Sequence, residues 1–545
     1  MATQRTEVSR PKGINKDLSP YELPPEIWSG GYNITFRRHR TNALKGYGEI
    51  GAFTLTEAPT YTQYFTFEDT DGYIYASESS VYTTTGASDT LVGTGYSASR
   101  QWSWTGCNLN GVTIMNNRLN VPQVLNPETN AEMIDLPFWN VVLDRAEYPT
   151  IEDEEFQALD IWGENSRCEV IRPYKNYLLA LDCYDANSVH YPLMIRWSSG
   201  ADAGDVPPSW SPYDPNERAG LYSLSDSPGR LLDGKTLGDY FMIYKSDSVW
   251  TAQFVGGDLV FNFRKLFGQE GGILSKDCVA EFEGKHFVLT SNGAYIHNAS
   301  TMQEIMEKWV KDELFDNVDS NFLLETKVIA DHTNKEIWIY YVSTESATSW
   351  ADKAVIWNWD TKEWSARELT GISYISEGRI DLNPVAATAN AWDTLVTTWD
   401  TTPSYWDDGV QPLNAKSTRL MLSDYVNKKL YANELSDTQL GLPLNSYVER
   451  IGIDFDNDES YKYVTRVVPH LRDNSVVATP VTVSILVEDT MESAAVWTSI
   501  GDFTPGLTHS LDCHMVGRYI GVKFEGEGVW DLTGYTIEWE PAGTY

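Results

Sequence analysis

The sequence between Tyr61 and about Arg367 consists of short aromatic and β-branched segments that Gly, Asn and Asp interrupt. The first unit, TQYFTFEDTDGYIYASESSVYTTTG, is typical of three strands, with a predicted turn at Asp71-Gly72. Comparable units follow at a spacing of roughly 40 to 60 residues, and a repeat of that length made of strands indicates a β-propeller. We therefore predict a propeller of about six blades over residues 58–370. The later units begin at Gly106, Cys168, Gly238, Asp277 and Lys327.

The segments on either side of this region have different patterns. Residues 1–57 contain four prolines and should form an extended N-terminal arm, because proline disfavours helix interiors. Residues 371–445 are rich in Thr, Ala, Asn and Asp and lose the strand rhythm, which predicts an extended insertion or linker. Alternation returns over residues 446–545, where about five short strands indicate a C-terminal β-sandwich. Apolar residues at helical spacing predict a single amphipathic helix at Thr301–Phe315, so the predicted fold class is all-β.

The charge of the chain is the sharpest feature of its composition. The formal net charge is −36, and a body this acidic repels polyanions and cannot hold nucleic acid by counterion release. Residues 1–45 carry eight Lys and Arg against four acids, which leaves the arm at +4 and the remainder at −40. An arm of opposite sign to its own body suggests a docking element for a neighbouring subunit or a partner. The candidate contact residues are Leu23, Trp28, Phe36, Arg37, Arg38 and Arg40.

The motifs of common catalytic and metal sites are missing from the sequence. It contains no G-x-S-x-G, H-E-x-x-H, P-loop or dinucleotide glycine fingerprint. The five cysteines are widely spaced and predict buried free thiols. Asp454, Asp456 and Asp458 have calcium-loop spacing, but Glu459 stands where such a loop needs Gly. We expect no catalytic residue, no metal site and no cofactor. We also expect no signal peptide and no membrane span.

Two alternatives stay open on the residues alone. Abundant carboxylates could place an acid pair at the axis of a propeller glycosidase or sialidase-like depolymerase. The twenty tryptophans could instead form a glycan-binding surface for receptor recognition. Most tryptophans lie in strand segments, where burial between sheets is the ordinary outcome for a large aromatic side chain. Lone histidines such as His286 are expected to be satisfied polar residues within strands.

Several segments resemble the tail nozzle proteins of short-tailed bacteriophages, also called tail hub or head-stabilisation proteins. The most specific stretch runs from Leu231 to Ser300, with a Leu-Gly-Asp turn, an Ile-Tyr-Lys strand, a Phe-x-x-Leu-Phe segment and a Gly-Lys-His-Phe strand. RPYKNYLLALD, KEIWIYY and AVIWNWDTKEWSAREL support the resemblance, as do LPPEIWSGGYNITFRRHRTNALKGYG in the arm and GRYIGVKFEGEGVWDLTGYTIEWE near the end. Residues 371–445 have no counterpart in it.

The resemblance implies a structural virion protein without enzymatic activity. It implies a homo-hexameric tube below the adaptor ring, which conducts double-stranded DNA outward, anchors fibres or spikes and is closed by a tip plug until infection. The protein would be made and assembled in the host bacterial cytoplasm, would reside in the tail of the virion and would have no stable membrane insertion. An acidic wall suits such a conduit, because phosphate-binding basic side chains would slow the passage of DNA.

Overall fold

The computed structural model describes the chain except for residues 1–2, 52, 68–69, 101–102, 142–159, 214–216, 258, 268–271, 382–415, 474–478, 492–495 and 545. Strands dominate the described residues, and most belong to small antiparallel sheets. The arm contributes seven strands: β1 (Gln4–Ser9), β2 (Lys12–Ile14), β3 (Ile27–Trp28), β4 (Gly30–Tyr32), β5 (Ile34–Arg37), β6 (Arg40–Ala43) and β7 (Gly46–Glu49).

Five four-stranded antiparallel sheets follow one another along the chain. The first has β8 (Tyr61–Phe67), β9 (Thr70–Ala76), β10 (Ser80–Thr84) and β11 (Asp89–Thr94), and the second β12 (Thr105–Leu109), β13 (Val112–Asn116), β14 (Gln123–Leu125) and β15 (Met133–Asp135). The third has β16 (Arg167–Tyr174), β17 (Tyr177–Tyr184), β18 (His190–Trp197) and β19 (Gly220–Ser223). The fourth has β20 (Leu231–Leu237), β21 (Tyr240–Lys245), β22 (Val249–Phe254) and β23 (Phe261–Phe267), and the fifth β24 (Val279–Phe282), β25 (Lys285–Thr290), β26 (Gly293–His297) and β27 (Met302–Glu304).

The next sheet is larger and includes part of the predicted linker. It contains β28 (Lys327–Asp331), β29 (Glu336–Tyr341), β30 (Ala351–Asn358), β31 (Trp364–Asp381), β32 (Lys416–Asp424) and β33 (Lys429–Ser436), with β7 of the arm paired on β33. The described parts of 371–445 are thus largely strand. Ile372, Ile375, Leu420 and Leu422 are buried. Because the segment is rich in Thr and Asn, its few apolar residues did not indicate strands in the sequence.

The first strands of these sheets lie side by side in a closed ring. β8, β12, β16, β20, β24 and β28 contact one another in that order, and β31 returns to β8. Gln63 of β8 donates to Asn108 of β12 at 2.7 Å. The ring centroids of Tyr61 in β8 and Tyr374 in β31 are 4.6 Å apart, and this contact closes the ring. Sheets that radiate from a common axis in chain order are the arrangement of a β-propeller.

Two further antiparallel sheets face each other at the C-terminus. Their strands are β36 (Asn445–Ile453), β37 (Ser460–Asp473), β38 (Val481–Glu488), β39 (Thr498–Phe503), β40 (Leu511–Gly517), β41 (Tyr519–Glu527) and β42 (Trp530–Thr544), after a small hairpin of β34 (Thr438–Gln439) and β35 (Leu442–Pro443). One sheet has the order β40-β37-β42-β6-β5 with β1 on β42, and the other β39-β38-β41-β36-β4. The arm therefore supplies strands to both sheets.

A single apolar cluster joins the C-terminal sheets to the propeller. Val483, Phe524 and Ile537 from these sheets belong to the same buried cluster as Phe287 and Trp357 of the fifth and sixth sheets. Burial of this kind contributes roughly 25 cal/mol per Å² of apolar surface, so the C-terminal sheets and the propeller stabilise each other.

The described part of the chain has one α-helix, and it is shorter than the sequence predicted. α1 spans Lys308–Phe315 and buries Trp309, Val310 and Leu314. Met302–Glu304, the start of the predicted helix, pairs with β26 as the outer strand of the fifth sheet, because strand pairing overrides a weak local helical pattern. Among the described residues, no helix is long and apolar enough to cross a membrane.

Candidate functional site

A layer of paired charges lies at the axis of the propeller. Arg172 of β16 binds both carboxylate oxygens of Asp233, at 2.8 and 3.1 Å, and a carboxylate oxygen of Asp277 at 2.8 Å. Burial by itself would lower the pKa of Arg172, but the negative charges of Asp233 and Asp277 have the larger effect and raise this pKa. Burial likewise raises the pKa of Asp277, yet the charges of Arg172 and Lys327 hold it below its ordinary value. Arg172 and Asp277 therefore form an ion pair at neutral pH.

Two cavities lie along this axis and share Lys327 in their walls. The first axial cavity has a volume of about 830 Å³ and touches all six sheets of the ring. Lys235 extends into it, and its ammonium group makes one long contact, 3.4 Å to the carbonyl of Val279. The other Arg, Lys, His, Asp and Glu residues in its wall are Arg172, Asp233, Asp277, Glu281, Lys327, His332 and Glu377.

The second axial cavity is smaller, about 410 Å³, and its wall is richer in cations. Four cationic side chains reach it against two carboxylates: Arg100, Arg230, Lys276 and Lys327 against Glu169 and Glu325. Arg100 lies over the rings of Phe322 and Trp350, 4.2 and 4.0 Å from their centroids. The aromatic faces and the pairing with Glu325 at 2.6 Å hold this guanidinium in place.

Asp233 and Asp277 do not form the pair that a glycosidase needs. Such an enzyme uses one protonated acid and one free carboxylate on either side of the scissile bond. Asp233 and Asp277 are both held by Arg172, and Asp233 also accepts the backbone N–H of Asp277 at 2.8 Å. Among the described residues, no group of three or more His, Cys, Asp or Glu could hold a metal ion.

His286 is a satisfied buried histidine, as the sequence predicted. Tyr244 donates to its Nδ1 at 2.6 Å, and its Nε2 lies 2.9 Å from the carbonyl of Thr236. Nε2 of His297 donates to the same tyrosine oxygen at 2.7 Å and its Nδ1 accepts the N–H of Ala299. This pattern fixes both imidazoles as neutral Nε2-H tautomers. Burial lowers the pKa of His286 to about 3 and that of His297 to about 4.

The arm residues predicted to contact a partner divide into two groups. Leu23, Trp28 and Phe36 are buried in the protein itself, and Trp28 donates to Thr41 at 3.0 Å within the C-terminal sheets. Arg38 is exposed and Arg40 is half-buried. Arg38 and His39 have φ values of 52° and 56° and form the two-residue turn of the β5–β6 hairpin.

Arg37 is paired inside the chain. It binds Glu336 through two nitrogens, at 2.7 and 3.0 Å, and Glu434 through a third at 2.6 Å. Glu336 is fully buried, so this side chain attaches the arm to the sixth sheet. Sequence reasoning missed the pairing because its partners lie about 300 and 400 residues away in the chain, beyond any local pattern.

The cysteines and most of the strand tryptophans are buried. All five thiols are free and buried, as the sequence predicted, and burial raises the pKa of Cys107 and Cys183 to about 12. Trp250, Trp338 and Trp357 are buried. The partly exposed Trp197 packs against Phe261 and Phe263, so these rings contribute to packing between sheets.

Comparison with known proteins gives weak matches only. No protein-family model matches the sequence, and no curated protein matches it. Among solved structures, the chain is similar to PorZ, a bacterial surface component of the type-IX secretion system of Porphyromonas gingivalis, with 7% identity and a TM-score of 0.35 over 77% of this chain and 44% of that one. It is also similar to the dihydro-heme d1 dehydrogenase NirN (8%, TM-score 0.32, 60% of each chain) and to BBS1N in complex with ARL6DN (9%, TM-score 0.31, 63% and 94%).

The chain spans less than two thirds of the length of the first two of these structures. The sheet order and the ring of contacts within this chain define its fold.

Proposed function

We propose that this chain is a structural subunit of the tail nozzle of a short-tailed bacteriophage, with no catalytic activity. In this proposal each sheet of the ring is one blade of a six-bladed propeller, the arm and residues 446–545 form one β-sandwich, and copies of the chain assemble into a homo-hexameric ring. DNA passes through the central passage that the subunits surround and not through the propeller axis of any one subunit.

The observation that carries the proposal is the charged layer at the axis. A propeller that transports or transforms a ligand along its axis needs an open path or a free catalytic group there. Arg172 of β16 instead pairs with Asp233 of β20 and with Asp277, which lies in the turn before β24. The surface that contacts partners is then the outside of the molecule, as expected of a subunit in an assembly.

The distribution of charge supports the conduit part of the proposal. Residues 446–545 contain sixteen Asp and Glu against six Lys and Arg, and Asp456, Asp458 and Glu459 are exposed in the turn between β36 and β37. An acidic surface repels DNA over roughly a Debye length of ~8 Å at physiological ionic strength. A ring that presents this surface to its lumen would let DNA slide without binding.

The β5–β6 hairpin is the remaining candidate for the adaptor contact. Leu23, Trp28, Phe36 and Arg37 are occupied within the chain, so Arg38 and Arg40 are the two predicted contact residues that a partner can reach. A rim cation of this kind affects association rate and salt dependence more than affinity. The adaptor ring, the fibres or spikes, the tip plug and a location in the virion tail belong to the same proposal.

Sedimentation velocity and negative-stain imaging of the purified chain, alone and with its adaptor, test this proposal. Six copies of the 61.5 kDa chain give a closed ring of about 370 kDa. A chain that stays monomeric in both samples and degrades a host surface polysaccharide would contradict the proposal and favour the glycosidase alternative. Binding to a glycan array by a monomer would favour receptor recognition.

A further inference from the structure

The second axial cavity has a cationic wall in a strongly acidic protein. Four cations and two carboxylates reach the cavity, whereas the whole chain has a net charge of −36. We propose that this cavity binds a small oxyanion, either free phosphate or a phosphate ester. The proposal does not depend on ring assembly.

Lys327 is the central observation. The residue is 7% exposed and lines both cavities. The nearest carboxylate oxygen, on Asp277, is 3.7 Å away, which is beyond hydrogen-bond distance. The ammonium also lies 4.2 Å from the centroid of the Tyr374 ring. A buried ammonium with this little compensation favours a bound anion.

Glu169 shows the same shortage of negative charge. Its carboxylate lies 3.0 Å from Arg118, 3.7 Å from Arg230 and 3.7 Å from Lys276. Asp182 lies 3.3 Å from Arg230 and Lys276 donates to the carbonyl of Ser103 at 2.8 Å, so two carboxylates face three cations. Burial lowers the pKa of Lys276 and of Lys327, because their charges are only partly compensated. An oxyanion between Arg230, Lys276 and Lys327 would supply the missing charge and accept hydrogen bonds from all three groups.

The size and polarity of the cavity fit this ligand. The volume of about 410 Å³ exceeds what inorganic phosphate needs, so the carrier of a phosphate ester has room beside the anion. Ser103, Ser275 and Ser373 bring hydroxyl groups to the wall, and Trp350 and Tyr340 bring aromatic surface. Arg100 and Arg230 offer the planar donors that suit phosphate oxygens.

Isothermal titration calorimetry of the full chain tests the proposal, with inorganic phosphate and glycerol phosphate as probes and chloride at matched ionic strength as the blank. We expect a dissociation constant below ~1 mM for at least one probe and a loss of roughly tenfold or more in Lys327→Met and in Arg230→Gln. Lys235→Met is the matched control, because Lys235 lines the first axial cavity and not the second, and it should bind as the wild type does.

The outcomes separate cleanly. Tighter binding of glycerol phosphate would show that the carrier also contacts the wall, and equal binding would show that the oxyanion alone is held; both support the site. No binding of either probe to the wild type would overturn the proposal. Equal affinity in wild type and in a folded Arg230→Gln protein would also overturn it, and this half-exposed position remains informative if Lys327→Met fails to fold.

Discussion

The pairing of Arg37 gives the sharpest prediction for stability. Substitution of Arg37 by Met keeps the length of the side chain but removes three contacts, two to Glu336 and one to Glu434. Glu336 is fully buried and keeps hydrogen bonds from Thr35 at 2.7 Å and Trp338 at 3.3 Å. These neutral donors do not compensate its charge.

The expected loss follows from the burial of the two partners. Breaking a buried ion pair by removing one partner costs about 3–5 kcal/mol. The Arg37 side chain is 23% exposed, so water can partly solvate the site, and we expect about 3 kcal/mol for Arg37→Met. Arg37→Lys keeps the charge but not the two-nitrogen contact with Glu336, and should lose about 1–2 kcal/mol.

Denaturant unfolding followed by tryptophan fluorescence measures this change in the free energy of unfolding. Arg38→Met is the matched control, since it removes the neighbouring exposed arginine and should stay within ~0.5 kcal/mol of wild type. If Arg37→Met were as stable as Arg38→Met, the attachment of the arm to the sixth sheet through Glu336 would be refuted.

Burial and the neighbouring Glu307 raise the pKa of Glu363 to about 7, so its contribution to stability is present below pH 4.5 and is lost as pH rises to 7. The free energy of unfolding of Glu363→Gln should therefore equal that of wild type at pH 4 and exceed it by about 1 kcal/mol at pH 8, after allowance for partial exposure. Equal stabilities at pH 8 would contradict that shift. Asp277→Asn leaves Arg172 with one carboxylate and should lower the midpoint of thermal unfolding by several degrees, a loss of about 2–4 kcal/mol, whereas an unchanged midpoint would show that the axial layer is not stabilising. Because all five cysteines are buried, a thiol reagent should label none in the native protein and all five in denaturant, and rapid native labelling would contradict their burial. Gel-shift assays at ~50 mM salt should show no binding of double-stranded DNA, and a micromolar affinity would contradict the acidic-wall argument.

The repeated strand units were the predictable part of the fold. The units that begin at Gly106, Cys168, Gly238, Asp277 and Lys327 each fall in a separate sheet of the ring, because alternation and polar turns are local properties of the sequence. The unit predicted from Gly238 begins one strand late, since β20 (Leu231–Leu237) is the first strand of its sheet. The positions of individual turns were predicted less accurately. The predicted turn residues Asp71 and Gly72 lie inside β9, opposite Thr66 and Phe65.

Gly72 shows why that prediction was wrong. A Cβ atom at this position would lie 2.9 Å from the carbonyl oxygen of Thr84 and 3.2 Å from the ring of Phe65. The glycine therefore permits close packing within the strand, and a sequence cannot distinguish this role from that of a turn glycine.

The arm and the axis depended on long-range contacts that the sequence does not reveal. Pro-rich composition predicted an extended arm, but its pairing with β42 and β36 joins residues more than 400 positions apart. The candidate site is similar. Arg172, Asp233 and Lys327 lie in three different sheets and Asp277 in the turn before a fourth, and only closure of the ring brings them together.

The structure of the assembled particle, determined by cryo-electron microscopy, tests the central claim most directly. We expect copies of the chain around a central passage wide enough for duplex DNA, with the Arg172 layer intact in every subunit. A structure in which the chain acts alone, or in which DNA or a substrate occupies its own axis between Arg172 and Asp277, would contradict the account.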